Sequence, residues 1–206
     1  MYNRGVEKRI IFNNEHDYQR FLLLLLLVND EKAVDVQLLF RDYSIPELIN
    51  QKRKPLVSVL GFCLMPNHYH LILKETSDNG ISKFMHKLGT GYTLYFNVKN
   101  ERSGSLFQGT YKAKHAEDDR YLKYLFEYIH LNPIREYLEK GGLVKDDLIK
   151  ILVDNPNTSL RVYSREEKGR LAEAVLDQKD FYTLFSSFSE HTKRLLQWSE
   201  VESVEA

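Results

Sequence analysis

The chain has 206 residues, 43% hydrophobic and 28% charged, and its 29 basic and 29 acidic groups cancel to a formal net charge of zero. That composition describes an ordinary globular chain of one sizeable domain, with room for a helical appendage, and excludes a protein that wraps DNA by bulk charge. A single cysteine, Cys63, excludes a disulfide framework and a multi-cysteine zinc site, and suits a reducing cytoplasm as the expected location.

Taken in chain order, residues 2–4 read as the end of a strand, followed by a turn at Asn3-Arg4-Gly5. The N-terminus is polar and charged and shows no secretory pattern. Asn13 or Asn14 can cap a helix that runs to about Val28, with Glu15 and Asp17 well placed in its first turn. Its run Phe21 to Val28 is apolar but far shorter than the ~20 residues of a membrane span, so a buried helix and no membrane association are expected. Residues 30–55 read as two short helices separated at Pro46. LVSVLGFCLM (56–65) is rich in β-branched and apolar residues and predicts a central strand, where Cys63 would be core. Pro66-Asn67 is turn chemistry, and HYHLILK (68–74) reads as the antiparallel partner.

From Gly80 to Asn100 the apolar residues recur at three and four, which predicts a helix. Gly89 and Gly91 within it suggest a kink or a close backbone approach. Residues 105–116 read as a further strand, and a helix is expected from about Asp118 to Leu131, near Pro133. Beyond Gly141, helical patterns cover 144–153, 165–178 and 188–199, with a capping-box signature at Ser164 and Glu167. This order suggests an α+β fold: a central antiparallel sheet with helices packed on one face, plus a C-terminal helical extension.

Charge is unevenly placed. Residues 1–140 carry 20 Lys/Arg against 17 Asp/Glu, and residues 141–206 carry 9 against 12. Within 83–115, Lys83, Lys87, Lys99, Arg102, Lys112 and Lys114 face one acid, Glu101, and aromatic residues are interleaved with them. Basic groups can track phosphates and aromatic faces can stack on unpaired bases; a solvated helix face over an aromatic core reads equally from this segment.

Two patterns bear chemistry. His68 and His70 lie two apart on a strand, so both imidazoles project to one face and could share a metal ion. Partly buried, hydrogen-bonded histidines are nevertheless commoner than ligands. Tyr128 and Asn132 lie four apart on a helix and share a face. A tyrosine can attack phosphorus when a cation stabilises the developing charge, although Tyr121, Leu125 and Tyr128 also fit an amphipathic core stripe. Asn132 precedes Pro133, and pre-proline residues avoid the α region, so its side chain either leaves the tyrosine's face or is held there by the helix end. His115 and His130 read as packing or phosphate-contacting residues.

In their surroundings these patterns become specific. GFCLMPNHYHLILK (61–74) and FQGTYKAKHAEDDRYLKYLFEYIHLNPIRE (107–136), together with 2–27 and 80–97, closely resemble the REP-associated tyrosine transposases and related single-tyrosine insertion-sequence transposases of the HUH endonuclease superfamily. The resemblance covers roughly 2–137. It implies the ferredoxin-like HUH endonuclease fold over residues 1–140, leaving 141–206 as an extension without a recognised motif. It also implies that His68 and His70 are metal ligands, that Asn132 occupies the third ligand position, and that Tyr128 is the nucleophile. The implied activity is that of a transposase-type endonuclease, which cuts single-stranded or hairpin DNA, leaves a 5′-phosphotyrosine and a free 3′-hydroxyl, and rejoins strands without ATP. Mg²⁺ or Mn²⁺ is the implied metal, with zinc the chemical alternative. Arg4, Lys83, Lys87, Arg102, Lys112 and Lys114 are the candidate contacts to the DNA backbone. Relatives include monomers and dimers, so a homodimer is open. The family's first strand normally begins several residues before the YNRG-like turn, so an exposed sheet edge is expected here. A domesticated hairpin-binding protein without transposition activity is the alternative function, and a zinc hydrolase of small phosphoesters a third.

Overall fold

The computed structural model describes residues 1–135, 145–164 and 170–202. Its centre is a three-stranded antiparallel sheet in the order β1-β3-β2, built from β1 (Tyr2–Arg4), β2 (Val57–Met65) and β3 (His68–Glu75). Pro66 and Asn67 form the tight turn between β2 and β3, whose register sets His70 opposite Cys63 and, on the other side, Tyr2. His68 likewise lies between Met65 and Arg4. Slipping that register by one residue would turn both histidines to the opposite face.

The two faces of the sheet separate core from chemistry, because successive strand residues point to opposite sides. Tyr69 packs against Phe21 of helix α1 (Glu15–Leu27), while its neighbour His70 packs against Tyr128 of helix α5 (Asp119–Leu131). Helices therefore cover both faces, not one. The sequence pattern could not distinguish these arrangements, since β2 is apolar on both sides. In α1, Asn14 caps the N-terminus by accepting from the Asp17 backbone N–H. Its residues Phe21 to Leu27 are all buried, because the helix also packs against α4 (Gly80–Lys99) and α8 (Arg170–Val175). Asp17 is buried too, and accepts from Tyr95 and Lys99 near the far end of α4. Among the described residues no helix is long and apolar enough to cross a membrane.

Several local expectations change. The two short helices of the 30–55 region, α2 (Val36–Asp42) and α3 (Ile45–Asn50), part at Tyr43-Ser44, and Pro46 sits in the first turn of α3, where its missing N–H costs nothing. Helix α4 is unbroken; a Cβ at Gly89 would meet open space, and one at Gly91 only ordinary contact with Leu24. The strand expected over 105–116 is reduced to two isolated bridges, Gly5 to Phe107 and Tyr2 to Lys112. These still cover the outer side of β1, with reciprocal bonds of 2.9 Å between Tyr2 and Lys112, so that edge is not exposed.

The C-terminal segments close the opposite edge. Helices α6 (Lys145–Asp154), α7 (Leu160–Ser164), α8, α9 (Lys179–Leu184) and α10 (Phe188–Glu202) follow α5. Helices α7 and α9 were not predicted; Glu167, the expected capping-box partner of Ser164, and the start of the helix expected over 165–178 lie outside the described residues. The chain between α6 and α7 runs along β2, with Leu64 N–H donating to Asn157 O at 2.8 Å and Ser159 N–H donating to Phe62 O at 2.9 Å. Asp177 N–H donates to Val59 O at 2.9 Å further along. These bonds pair backbone groups along this edge that would otherwise be open to foreign strands.

Candidate active site

Helix α5 lies close on the sheet because Leu60 forms a bulge in β2 and Gly61 follows it. A Cβ at Gly61 would stand 3.1 Å from both Ile129 and Phe126. Asp118 caps α5, its carboxylate accepting from Tyr121 N–H at 2.7 Å. One face of the helix is fully buried through Phe126, Ile129 and His130, while the other, carrying Tyr121, Tyr124 and Tyr128, is half-buried along a cleft of about 1320 Å³.

Four of the residues singled out in the sequence meet at that cleft. The His68 and His70 rings are 5.1 Å apart and nearly perpendicular, and the Tyr128 ring stands edge-on to His70 at 5.6 Å. Asn132 hydrogen-bonds His68 through its side chain. Asn132 keeps helical dihedrals (φ −50°, ψ −39°) in spite of Pro133, and the chain tightens into a 3₁₀ turn, Asn132–Ile134. Burial of Ile134 in a cluster with Leu131, Leu148, Leu152 and Leu195 offsets the pre-proline restriction and keeps the amide on the tyrosine's side.

Both imidazoles are held neutral. Burial pushes His70 down to about 3, helped by the charges of His68, the Met1 amino group, Arg4 and Arg135. His68 is lowered by burial and by Arg4, against the Asn132 hydrogen bond, which raises it. Its Nδ1 lies 2.6 Å from Asn67 Oδ1. An amide oxygen only accepts, so Nδ1 carries the proton and Nε2 keeps its lone pair. Two neutral imidazoles and an amide group suit a divalent cation in chemistry. Among the described residues no three His, Cys, Asp or Glu side chains gather as a metal site, so this set depends on the amide as its third donor.

Sequence reasoning missed three neighbours. Arg135 places its guanidinium 5.2 Å from the centre of the Tyr128 ring. Tyr2 stacks on His70 at 5.7 Å, and Asn67 sets the His68 tautomer. Arg135 lies seven residues beyond Tyr128, a spacing that continues one helical face across Pro133.

The proposed phosphate-contacting residues divide. Arg4, Lys112 and Lys114 line the cleft. Lys83 and Lys87 instead donate to the backbone carbonyls of Asp78, Asp30 and Lys32, and Arg102 binds Asn97 and the Ser105 carbonyl. His115 also lines the cleft, whereas His130 is fully buried, its Nδ1 2.8 Å from His191 Nε2 and its Nε2 2.8 Å from Ser159 Oγ.

A strand-borne histidine pair facing a helix-borne tyrosine and amide across an open cleft is a constellation suited to phosphoryl transfer. Residues 42–132 match the family model described as "Transposase IS200 like", a span from the end of α2 through β2, β3, α4 and α5 to Asn132. Over this segment the chain is similar to the IS200-like transposases. Comparison with curated proteins and with solved structures returned no match.

Proposed function

We propose that the protein is a single-tyrosine endonuclease and strand transferase that acts on single-stranded or hairpin DNA. The observation that carries this reading is the convergence of His68, His70 and Asn132 beside Tyr128, with the two rings at 5.6 Å. Tyr128 Oη attacks the scissile phosphorus: the phenol proton is released to solvent, a bond forms from Oη to phosphorus, and the bond from phosphorus to the 3′-oxygen breaks. The 5′ side then remains on the protein as a phosphotyrosine, and the departing 3′-oxygen takes up a proton. Rejoining reverses these steps, so the phosphodiester energy is conserved and no ATP is consumed.

His68, His70 and Asn132 would hold Mg²⁺ or Mn²⁺. A bound divalent ion would polarise a phosphoryl oxygen and stabilise the charge developing there. The three donors carry no negative charge, and Arg4 and Arg135 stand near His70. Ion binding by the chain alone is therefore weak and strengthens when a DNA phosphate completes the site. Imidazole is a better partner for Mn²⁺ than for Mg²⁺, which favours Mn²⁺ in the test tube. Arg135 is set to balance charge around Tyr128, while Arg4, Lys112 and Lys114 receive the flanking phosphates. Tyr128 and both histidines come from one chain, so cleavage needs no second copy.

The test is incubation with end-labelled single-stranded and hairpin DNA in Mn²⁺ or in chelator. The proposal expects a metal-dependent product with a free 3′-hydroxyl and the protein bound covalently to the 5′ fragment. Binding without nicking would favour a hairpin-binding protein instead, and turnover to a free 5′-phosphate would favour a hydrolase.

A further inference from the structure

Phe84, Tyr92, Phe96 and Phe107, four of the interleaved aromatics of 83–115, are not available to DNA bases, because they are buried in the core. A different set occupies the cleft. Tyr121, Tyr124 and Tyr128 are spaced by three and four along α5 and share one face. The Tyr121 and Tyr124 rings stack at 5.6 Å with only 25° between their planes, and Tyr124 continues to Tyr128 at 6.3 Å and 37°. All three line the cleft and are half-buried, whereas Phe126, Ile129 and His130 fill the core side of the same helix. A packing stripe would have been buried in the same way.

We propose that Tyr121 and Tyr124 form a stacking platform for the unpaired bases of single-stranded DNA next to the phosphate delivered to Tyr128. The inference rests on the single-stranded DNA reading above. Lys112 and Lys114 are exposed on the same cleft, but Asp119 and Glu75 line it too, so local charge is mixed and stacking supplies the grip. Every base has a π face, so such a platform tolerates many sequences while discriminating strongly against duplex, whose bases are already stacked.

The test measures fluorescence anisotropy of labelled oligonucleotides with the full chain. Tyr121→Ala and Tyr124→Ala are each expected to weaken single-strand binding about tenfold and to leave duplex binding unchanged, while Tyr124→Trp keeps the wild-type affinity. An oligonucleotide with abasic residues beside the cleavage site should bind the wild type about tenfold more weakly, with no added loss in Tyr124→Ala. Wild-type affinity in Tyr124→Ala, or unchanged affinity for the abasic strand, would overturn the platform. If those results occur while the wild type still forms the covalent adduct, only the platform fails. If the stacking losses occur without any adduct, the platform is supported and the cleavage reading fails. A wild-type chain that does not bind single strands would overturn both.

Discussion

The segment from β2 to α5 and the segment from α6 to α10 meet on opposite faces of α5, and they supply different things to it. On the cleft face, half-exposed Tyr128 and the helix-end Asn132 reach the histidines of β3 over gaps left open for a substrate. On the other face, buried polar groups meet partners from the C-terminal segment: Glu127 pairs through Oε1 with Arg194, and His130 bonds His191 and Ser159, while Glu127 Oε2 and His191 Nδ1 are buried without a hydrogen bond among the described residues. Phe126 packs there among Phe181, Phe185 and Tyr163. Ser159 also bonds the Phe62 backbone N–H at 3.0 Å, so one residue ties the tyrosine helix to the strand beside the histidines. A segment without recognisable chemistry thus holds Tyr128 in position, which is the precision the proposed phosphoryl transfer requires.

That division can be broken at each side. His70→Ala should have the largest effect, lowering DNA cleavage by about a thousandfold while the thermal midpoint moves by only a few degrees; retained cleavage would remove His70 from the chemistry. Phe126→Ala should act in the opposite way, costing about 3–5 kcal/mol of stability in urea denaturation while folded protein still forms the adduct. Arg194→Ala leaves Glu127 buried without its cation and should cost about 2 kcal/mol, read by the same denaturation; an unchanged midpoint would show that the C-terminal segment does not anchor α5. A further effect is that of pH. His70 and His191 are both held near 3 by burial, against 6.5 when unfolded, and His130 is also well below 6.5. Their neutral forms are favoured in the fold, so their contribution is complete above about pH 6.5 and is lost progressively as pH falls toward 3. Urea midpoints should therefore decrease from pH 7.5 to 5.5, and His191→Gln should flatten that slope; a midpoint independent of pH would contradict the assignment.

What could be read from the sequence follows the range of the interactions. The spacing of His68 and His70, and of Tyr128 and Asn132, is set within one strand and one helix, so periodicity exposed it. The hairpin through Pro66-Asn67, the cap at Asn14 and the extent of α4 and α5 are local in the same sense. Partners far apart in the chain left no such trace. Glu127 and Arg194 are 67 residues apart, and His130 and His191 are 61 apart; no spacing rule links them. The aromatics of 83–115 were ambiguous because an apolar ring reads alike in a core and on a binding face. The segment 105–116 carries strand-like alternation but meets β1 at only two positions, a matter of tertiary placement.

The central claim is that Tyr128 is the nucleophile, and one measurement addresses it directly: covalent protein–DNA adduct formed on single-stranded hairpin DNA with Mn²⁺, wild type against Tyr128→Phe. The arrangement beside His68 and His70 predicts that the variant forms no adduct while binding the same DNA within a few-fold of wild type. Adduct at the wild-type level in Tyr128→Phe would contradict it.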